Sequence, residues 1–155
     1  MGRSDGRLRG HLMSVGRICV RTVDLAEPDE PVWVAAERMH QRCVGTLIIR
    51  GEDGHPIGIL TDRDLVTRVL AKGLDAHETR VSQVMTSPVV TAGEETAIDA
   101  ALPLMRSGGF RRLPVVDKKG QLVGLLSLDD VLMLLAEELK VVGDLLEKET
   151  PAGAI

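Results

Sequence analysis

Gly58-Ile59-Leu60-Thr61-Asp62-Arg63-Asp64 and Gly124-Leu125-Leu126-Ser127-Leu128-Asp129-Asp130 are one pattern written twice, 66 residues apart. In each, a short apolar run ends on a hydroxyl residue, and an aspartate follows three residues later. The local reading is a strand that stops where a helix starts. The hydroxyl accepts from a first-turn amide and the carboxylate reaches back to the cap, a capping box that stabilises a helix by about 1 kcal/mol. A second reading uses the same geometry. Helix-start amides beside a hydroxyl favour an anion such as phosphate, and a carboxylate one turn in can accept from both hydroxyls of a ribose. The two readings are compatible.

Outward from these endings the whole chain repeats. Val15 to Leu70 aligns with the following 66-residue copy without a gap, and ten identities fall in register, among them Val15/Val81, Met39/Met105, Leu47/Leu113 and Gly58/Gly124. In the second copy the β-branched run Val89-Val90-Thr91 predicts a strand. The spacing of Ala97, Ala101, Leu104 and Met105 predicts a helix over 96–107, and Pro31 opens its first-copy counterpart over 31–41. Leu113–Val116 and Leu122–Leu126 read as a hairpin turned at Lys118-Lys119-Gly120, with Pro114 near a strand start where a missing N–H is tolerated. Leu47–Ile49 and Ile57–Leu60 match it around Asp53-Gly54. Each copy is therefore β-α-β-β-α, too small to cover both faces of its own sheet.

Composition narrows the function classes. The chain has 155 residues, is 44% hydrophobic and carries a net charge of -4. Such a charge gives no broad footprint for nucleic acid, and no apolar run reaches membrane-spanning length. Cys19 and Cys43 form no Cys-x-x-Cys pair and the four histidines are scattered, so neither a zinc site nor a disulfide framework is signalled. They read as two small core thiols in a reducing, cytoplasmic compartment. No nucleophile–base pairing, clustered metal ligands or phosphate-binding glycine loop marks a catalyst. Residues 1–12 are polar and Gly/Arg-rich and read as a flexible tail; three arginines without aromatics are weak support for a nucleic-acid arm.

The 66-residue repeat, the RRLPVVD stretch at 111–117 and the two endings together resemble CBS domains in tandem, a Bateman module. The resemblance implies an α+β fold of two βαββα repeats packed sheet to sheet with pseudo-twofold symmetry. Repeat 1 is expected over 13–72, a linker over 73–79, repeat 2 over 80–138, and a C-terminal helical extension and tail over 139–155. It also implies two clefts for adenosine-containing ligands: AMP, ADP or ATP, S-adenosylmethionine, or NAD-type compounds. In cleft one, Ser127 and the adjacent helix-start amides would hold phosphate and Asp130 the ribose. Arg111 and Arg112 would approach the phosphates, and Cys19, Asp24, Val44 and Gly45 would line the adenine end. In cleft two, Thr61 and Arg63 would hold phosphate and Asp64 the ribose, with Met85, Val90 and Phe110 at the base. Asp129 departs from this scheme, since it repels a polyphosphate unless Arg111, Arg112 or a divalent cation offsets it. Gly45 and Thr46 stand in cleft two where Arg111 and Arg112 stand in cleft one. A solvated strand-start pair is the competing reading of Arg111 and Arg112, and core packing that of Phe110.

From Asp130 to Lys148, Val131, Leu132, Leu135, Leu139, Val142, Leu145 and Leu146 recur at helical spacing. Gly143 is a candidate break. An apolar stripe beyond the second repeat packs back on its own domain or meets a second copy, and pairing of such modules points to a homodimer. The resemblance thus implies a regulatory module with no required cofactor and no metal site, which signals to an effector protein. The competing class is a ligand-free oligomerisation scaffold.

Overall fold

The computed structural model describes residues 13–149; the expected tail over 1–12 and residues 150–155 lie outside them. Two three-stranded sheets form, in the orders β1-β2-β3 and β4-β5-β6. The first comprises β1 (Leu25–Ala26), β2 (Thr46–Arg50) and β3 (Pro56–Thr61), the second β4 (Ala92–Gly93), β5 (Arg112–Val116) and β6 (Leu122–Ser127). In each, the first two strands are parallel and the last two form the antiparallel hairpin. Helix α2 (Val32–Arg42) lays Val32, Ala35 and Met39 on the first sheet, and α5 (Ile98–Gly108) lays Ala101 and Met105 on the second. Leu47 and Ile49 face one core, Leu113 and Val115 the other. Ile48 and Pro114, matched residues on the opposite faces, are also fully buried. Each sheet is thus covered on both sides, by its helices and by the other half, as the α+β reading requires.

The halves are tied together by exchanged segments. Helix α1 (Val15–Ile18) opens repeat 1, yet Val15 and Cys19 belong to the core built on the second sheet. Helix α4 (Val81–Val84) opens repeat 2, yet Val81 and Val84 belong to the core built on the first sheet. The bonds are reciprocal: Val15 N–H donates to the Thr96 carbonyl at 2.8 Å and Val81 N–H to the Glu30 carbonyl at 3.0 Å. Just beyond, Val20 bridges to Leu125 of β6 and Thr86 to Ile59 of β3. The hairpin tips meet as well, where Gln121 Nε2 donates to the Asp53 carbonyl at 2.8 Å and His55 Nε2 lies 2.9 Å from the Lys119 carbonyl. Gly54 and Gly120 make those tips, at φ of 85° and 79°, a region that disfavours a side chain.

Three expectations are corrected. Val89-Val90-Thr91 is not a strand; pairing begins at Ala92. Pairing in the first copy likewise starts only at Leu25, the match of Thr91, and Pro114 accounts for the one-residue difference. In the first copy Ile48 N–H donates to the Asp24 carbonyl at 3.0 Å. The matched bond would run from residue 114 to Val90, and proline has no N–H to give. Val90 is left exposed. Second, Gly143 does not break α6, which runs unbroken over Leu128–Glu149; one glycine costs a helix about 1 kcal/mol, which the Leu, Glu, Lys and Ala residues around it outweigh. Third, Cys43 is not a core thiol. It ends α2 in the left-handed region at φ 53° and is exposed, whereas Cys19 is buried. The helix after Asp64 is also less regular than its counterpart: α3 (Asp62–Asp64) passes into a π-turn (Leu65–Val69) and a 3-10 turn (Leu70–Lys72).

Candidate functional site

Both capping boxes form. Asp64 N–H donates to Thr61 Oγ1 at 3.2 Å, while Thr61 N–H and its hydroxyl both donate to Asp64 Oδ2, at 2.9 and 2.8 Å. Asp130 N–H donates to Ser127 Oγ at 3.1 Å, and Ser127 N–H and its hydroxyl donate to Asp130 Oδ2 at 2.8 and 2.7 Å. The cap therefore occupies one carboxylate oxygen of each aspartate. The other, Oδ1, is what either cleft has to offer a ligand, and no departure from the capping role is needed to offer it.

Around Asp130 the chain forms a half-open cavity of about 290 Å³, just under the usual range for small-molecule sites. Asp24, Val44, Gly45, Arg112, Ser127 and Asp130, six of the residues expected in cleft one, line it. So do Val20, Thr22, Val23, Cys43, Thr46 and Leu125, which the sequence reading had not placed there. Cys19 lies outside the lining: it sits beneath Gly124, its Sγ only 2.7 Å from where a Cβ on that glycine would stand. Burial pushes its thiol above the ordinary range, and the nearby Arg21 only partly offsets this. Arg111 and Asp129 are also outside the lining and face each other at 3.5 Å, both side chains 69% exposed. The carboxylate that threatened to repel an anion is thus set against one of the two arginines meant to attract it. Arg112 keeps no ion pair among the described residues, while Asp24 is held by Arg42 Nε at 2.9 Å. The helix-start amides are partly spent, since Leu128 N–H donates to the Arg111 carbonyl at 2.8 Å and Asp130 N–H to its cap.

Thr46, which the sequence reading set in cleft two as the counterpart of Arg112, stands instead among the residues of this cavity. It starts β2, pairs with Thr61 and is 5% exposed, yet its Oγ1 has no hydrogen-bond partner. Buried hydroxyls are nearly always satisfied; the residue lines the cavity together with Asp130, while its Oγ1 is itself covered. A β-branched residue at a strand start carries no sequence signal for such a role.

The second cleft is built differently. Phe110 packs on the repeat-2 core, its ring folded over Gly108 where a Cβ would collide with it. Met85 packs on the repeat-1 core against Gly58, the mirror of Cys19 on Gly124. Val90 is exposed, and Arg63 is exposed with its amide donating to Asp62 Oδ1 at 2.8 Å. Asp64 Oδ1 lies 3.4 Å from Arg68 Nη2. A wider depression of about 650 Å³ between the β1 end and the hairpin tips is lined by Glu27, Asp29, Arg50, Glu52 and Asp53 among others, and lies apart from both aspartate caps. Among the described residues no group of three or more His, Cys, Asp or Glu is placed to hold a metal ion, and no helix is long and apolar enough to cross a membrane.

The family model described as CBS domain matches residues 15–71 and again 81–137. An uncharacterised protein of Methanopyrus kandleri is 36% identical over 122 residues, 79% of this chain and 62% of that protein. CBSCBSPB3 of Arabidopsis thaliana is 43% identical over 99 residues, 63% of this chain but only 17% of the plant protein. The chain thus spans less than two thirds of either relative. Among solved structures, Hypoxic Response Protein I with two coordinated zinc ions superposes with a TM-score of 0.70 at 28% identity, over 77% of this chain and 97% of that one. The CBS domain pair of protein MJ0100, in complex with 5'-methylthioadenosine and S-adenosylmethionine, superposes with a TM-score of 0.73 at 24% identity, over 82% and 98%, a likeness of fold alone. Two family matches, one on each copy of the repeat, establish that this chain belongs to the CBS-domain family and carries its domains as a tandem pair.

Proposed function

We propose that this chain is a regulatory module, without catalysis of its own, that binds an adenosine-containing ligand in cleft one and passes its occupancy to an effector protein. One observation carries the reading: Asp130, with one carboxylate oxygen spent on its cap and the other without a partner among the described residues, shares a cavity of about 290 Å³ with Arg112, which has no ion pair there. A carboxylate oxygen accepts from ribose hydroxyls. Arg112 stands where a 5' phosphate would approach, so AMP, ADP, ATP, NAD-type compounds and S-adenosylmethionine are all within the class. The MJ0100 pair, of the same fold, holds 5'-methylthioadenosine and S-adenosylmethionine. Unpaired Cys19 and Cys43 suit a reducing cytoplasm.

Helix α6 supports a homodimer as the transmitting unit. Leu132, Leu135, Leu139, Val142 and Leu146 follow the alternating three–four spacing of a coiled-coil seam, and all are at least half exposed. This same seam favours the second reading, a scaffold that assembles without a ligand. Thermal melts with an adenosine-compound panel separate the two. Ligand at 100 times its Kd adds about 2.7 kcal/mol, a rise of roughly 5–10 °C for a chain this size, and Asp130→Ala removes it. No rise with any panel compound leaves the scaffold standing.

A further inference from the structure

The two clefts come from one pattern, so matched positions that differ in chemistry separate them. Asp64 and Asp130 spend Oδ2 on identical caps. Their Oδ1 atoms do not match. Asp130 Oδ1 has no partner among the described residues. Asp64 Oδ1 faces Arg68 Nη2 at 3.4 Å, and that guanidinium is anchored on the far wall: Nη1 donates to the Val84 carbonyl at 2.7 Å and Nη2 to Thr86 Oγ1 at 3.1 Å. Thr86 is the residue that bridges to β3, and its counterpart 66 positions earlier, Val20, lines the open cavity of cleft one. Arg68 therefore reaches from the ribose-type carboxylate to the opposite side of cleft two. The position 66 residues after Arg68 is Leu134, which has no donor, so cleft one cannot be closed in this way.

We propose that Arg68 latches cleft two from within and that the chain takes one adenosine ligand, in cleft one. This rests on the function proposed above and states which site performs it. A ribose entering cleft two has to displace a charge-assisted contact to a carboxylate that is only 14% exposed, together with two further bonds of the same guanidinium. Neutral hydroxyls make weaker bonds than a guanidinium, so affinity there falls at least tenfold below that of cleft one. Cleft two then works as a fixed joint between the end of β3 and the α4 segment.

Isothermal titration of the full chain with S-adenosylmethionine, 5'-methylthioadenosine, AMP and ATP tests this. The variants are Asp64→Ala, Asp130→Ala and Arg68→Leu. The two alanine variants lose the same cap, so comparing them cancels its structural cost. The expected result is one equivalent per wild-type chain, lost in Asp130→Ala and kept within about threefold in Asp64→Ala, with a second equivalent in Arg68→Leu. Two equivalents on the wild type overturn the latch while leaving the proposed function intact. So does binding that Asp64→Ala abolishes, or an Arg68→Leu chain that still takes one. Absence of binding by every compound removes the proposed function, and the latch falls with it.

Discussion

Replacing Thr46 by valine keeps the branched shape and deletes the hydroxyl. In most cores that exchange is costly because the hydroxyl is bonded. Here Oγ1 has no partner and the residue is 5% exposed. A buried, unsatisfied polar group costs about 1–3 kcal/mol. At the lower figure, Thr46→Val stabilises the ligand-free chain by about 1 kcal/mol and raises Tm by roughly 2–4 °C. Ligand binding moves the opposite way. A neutral hydrogen bond contributes about 0.5–1.5 kcal/mol net, so its loss weakens Kd by roughly two- to twelvefold. Thermal melts of the free chain and titration with the best-binding adenosine compound read the two signs separately. Thr46→Ser keeps the hydroxyl and loses a buried methyl: it binds as the wild type does and melts lower. A Thr46→Val chain that melts several degrees lower with an unchanged Kd refutes the reasoning, because the hydroxyl then serves the fold and not the cavity.

Three further outcomes follow from the same geometry. Gly124→Ala sets a Cβ 3.0 Å from the Val20 carbonyl and 2.7 Å from Cys19 Sγ, whereas the nearest atoms to a Cβ at Gly58 all belong to the flexible Met85 side chain; chemical denaturation should show a loss of about 1–3 kcal/mol for the first and a smaller one for the second. Leu139→Asp puts a charge at the centre of the exposed α6 seam, so sedimentation at micromolar concentration should show a dimer for the wild type and a monomer for the variant, and a wild-type monomer counts against the seam. Cys19 keeps its proton in the fold above the ordinary thiol value of about 8.5, so the folded state binds more protons there than the unfolded one. Stability is therefore full below that pH and declines as pH rises toward the raised folded value, a slope that Cys19→Ala should flatten in melts between pH 8 and 10, while iodoacetamide modifies exposed Cys43 first and does so more slowly with cleft one filled.

Much of the fold was legible because the residues that specify it recur. Ten identities in register and two identical helix caps need no three-dimensional context to be recognised. The exchange of α1 and α4 between the halves was not legible. Val15 and Val81 are the same residue in matched positions, and an apolar residue carries no label for the sheet that covers it; only the paths after Cys19 and Met85, closed by the Val20–Leu125 and Thr86–Ile59 bridges, decide it. Strand β4 was misplaced for a different reason. β-branched propensity reports an extended chain, but a ladder needs a neighbour in register: Val89 and Val90 precede the paired stretch as Val23 and Asp24 do in the first copy, and Pro114 withholds the donor that would have brought Thr91 into it.

The candidate site divides along the same line. Asp24, Val44, Gly45, Arg112, Ser127 and Asp130 come together around one cavity, at positions that the resemblance to a tandem CBS pair implies. Thr46, Arg68 and the Arg111–Asp129 pair do not follow from it, and they are what makes the clefts unequal. Each is a position where the copies differ: Thr46 against Arg112, Arg68 against Leu134, Arg63 against Asp129. A fold built from two copies needs its core positions to agree, since each sheet must meet an equivalent partner. Chemistry carried at agreeing positions is then shared by both clefts and cannot distinguish them. Distinction has to reside where the copies disagree, and the open Oδ1 of Asp130 beside the latched Oδ1 of Asp64 is the atomic form of that disagreement. Exchanging the residues at 68 and 134 should therefore move the ligand from one cleft to the other with the fold unchanged, a transfer that Cys43 alkylation reports directly by losing its ligand protection.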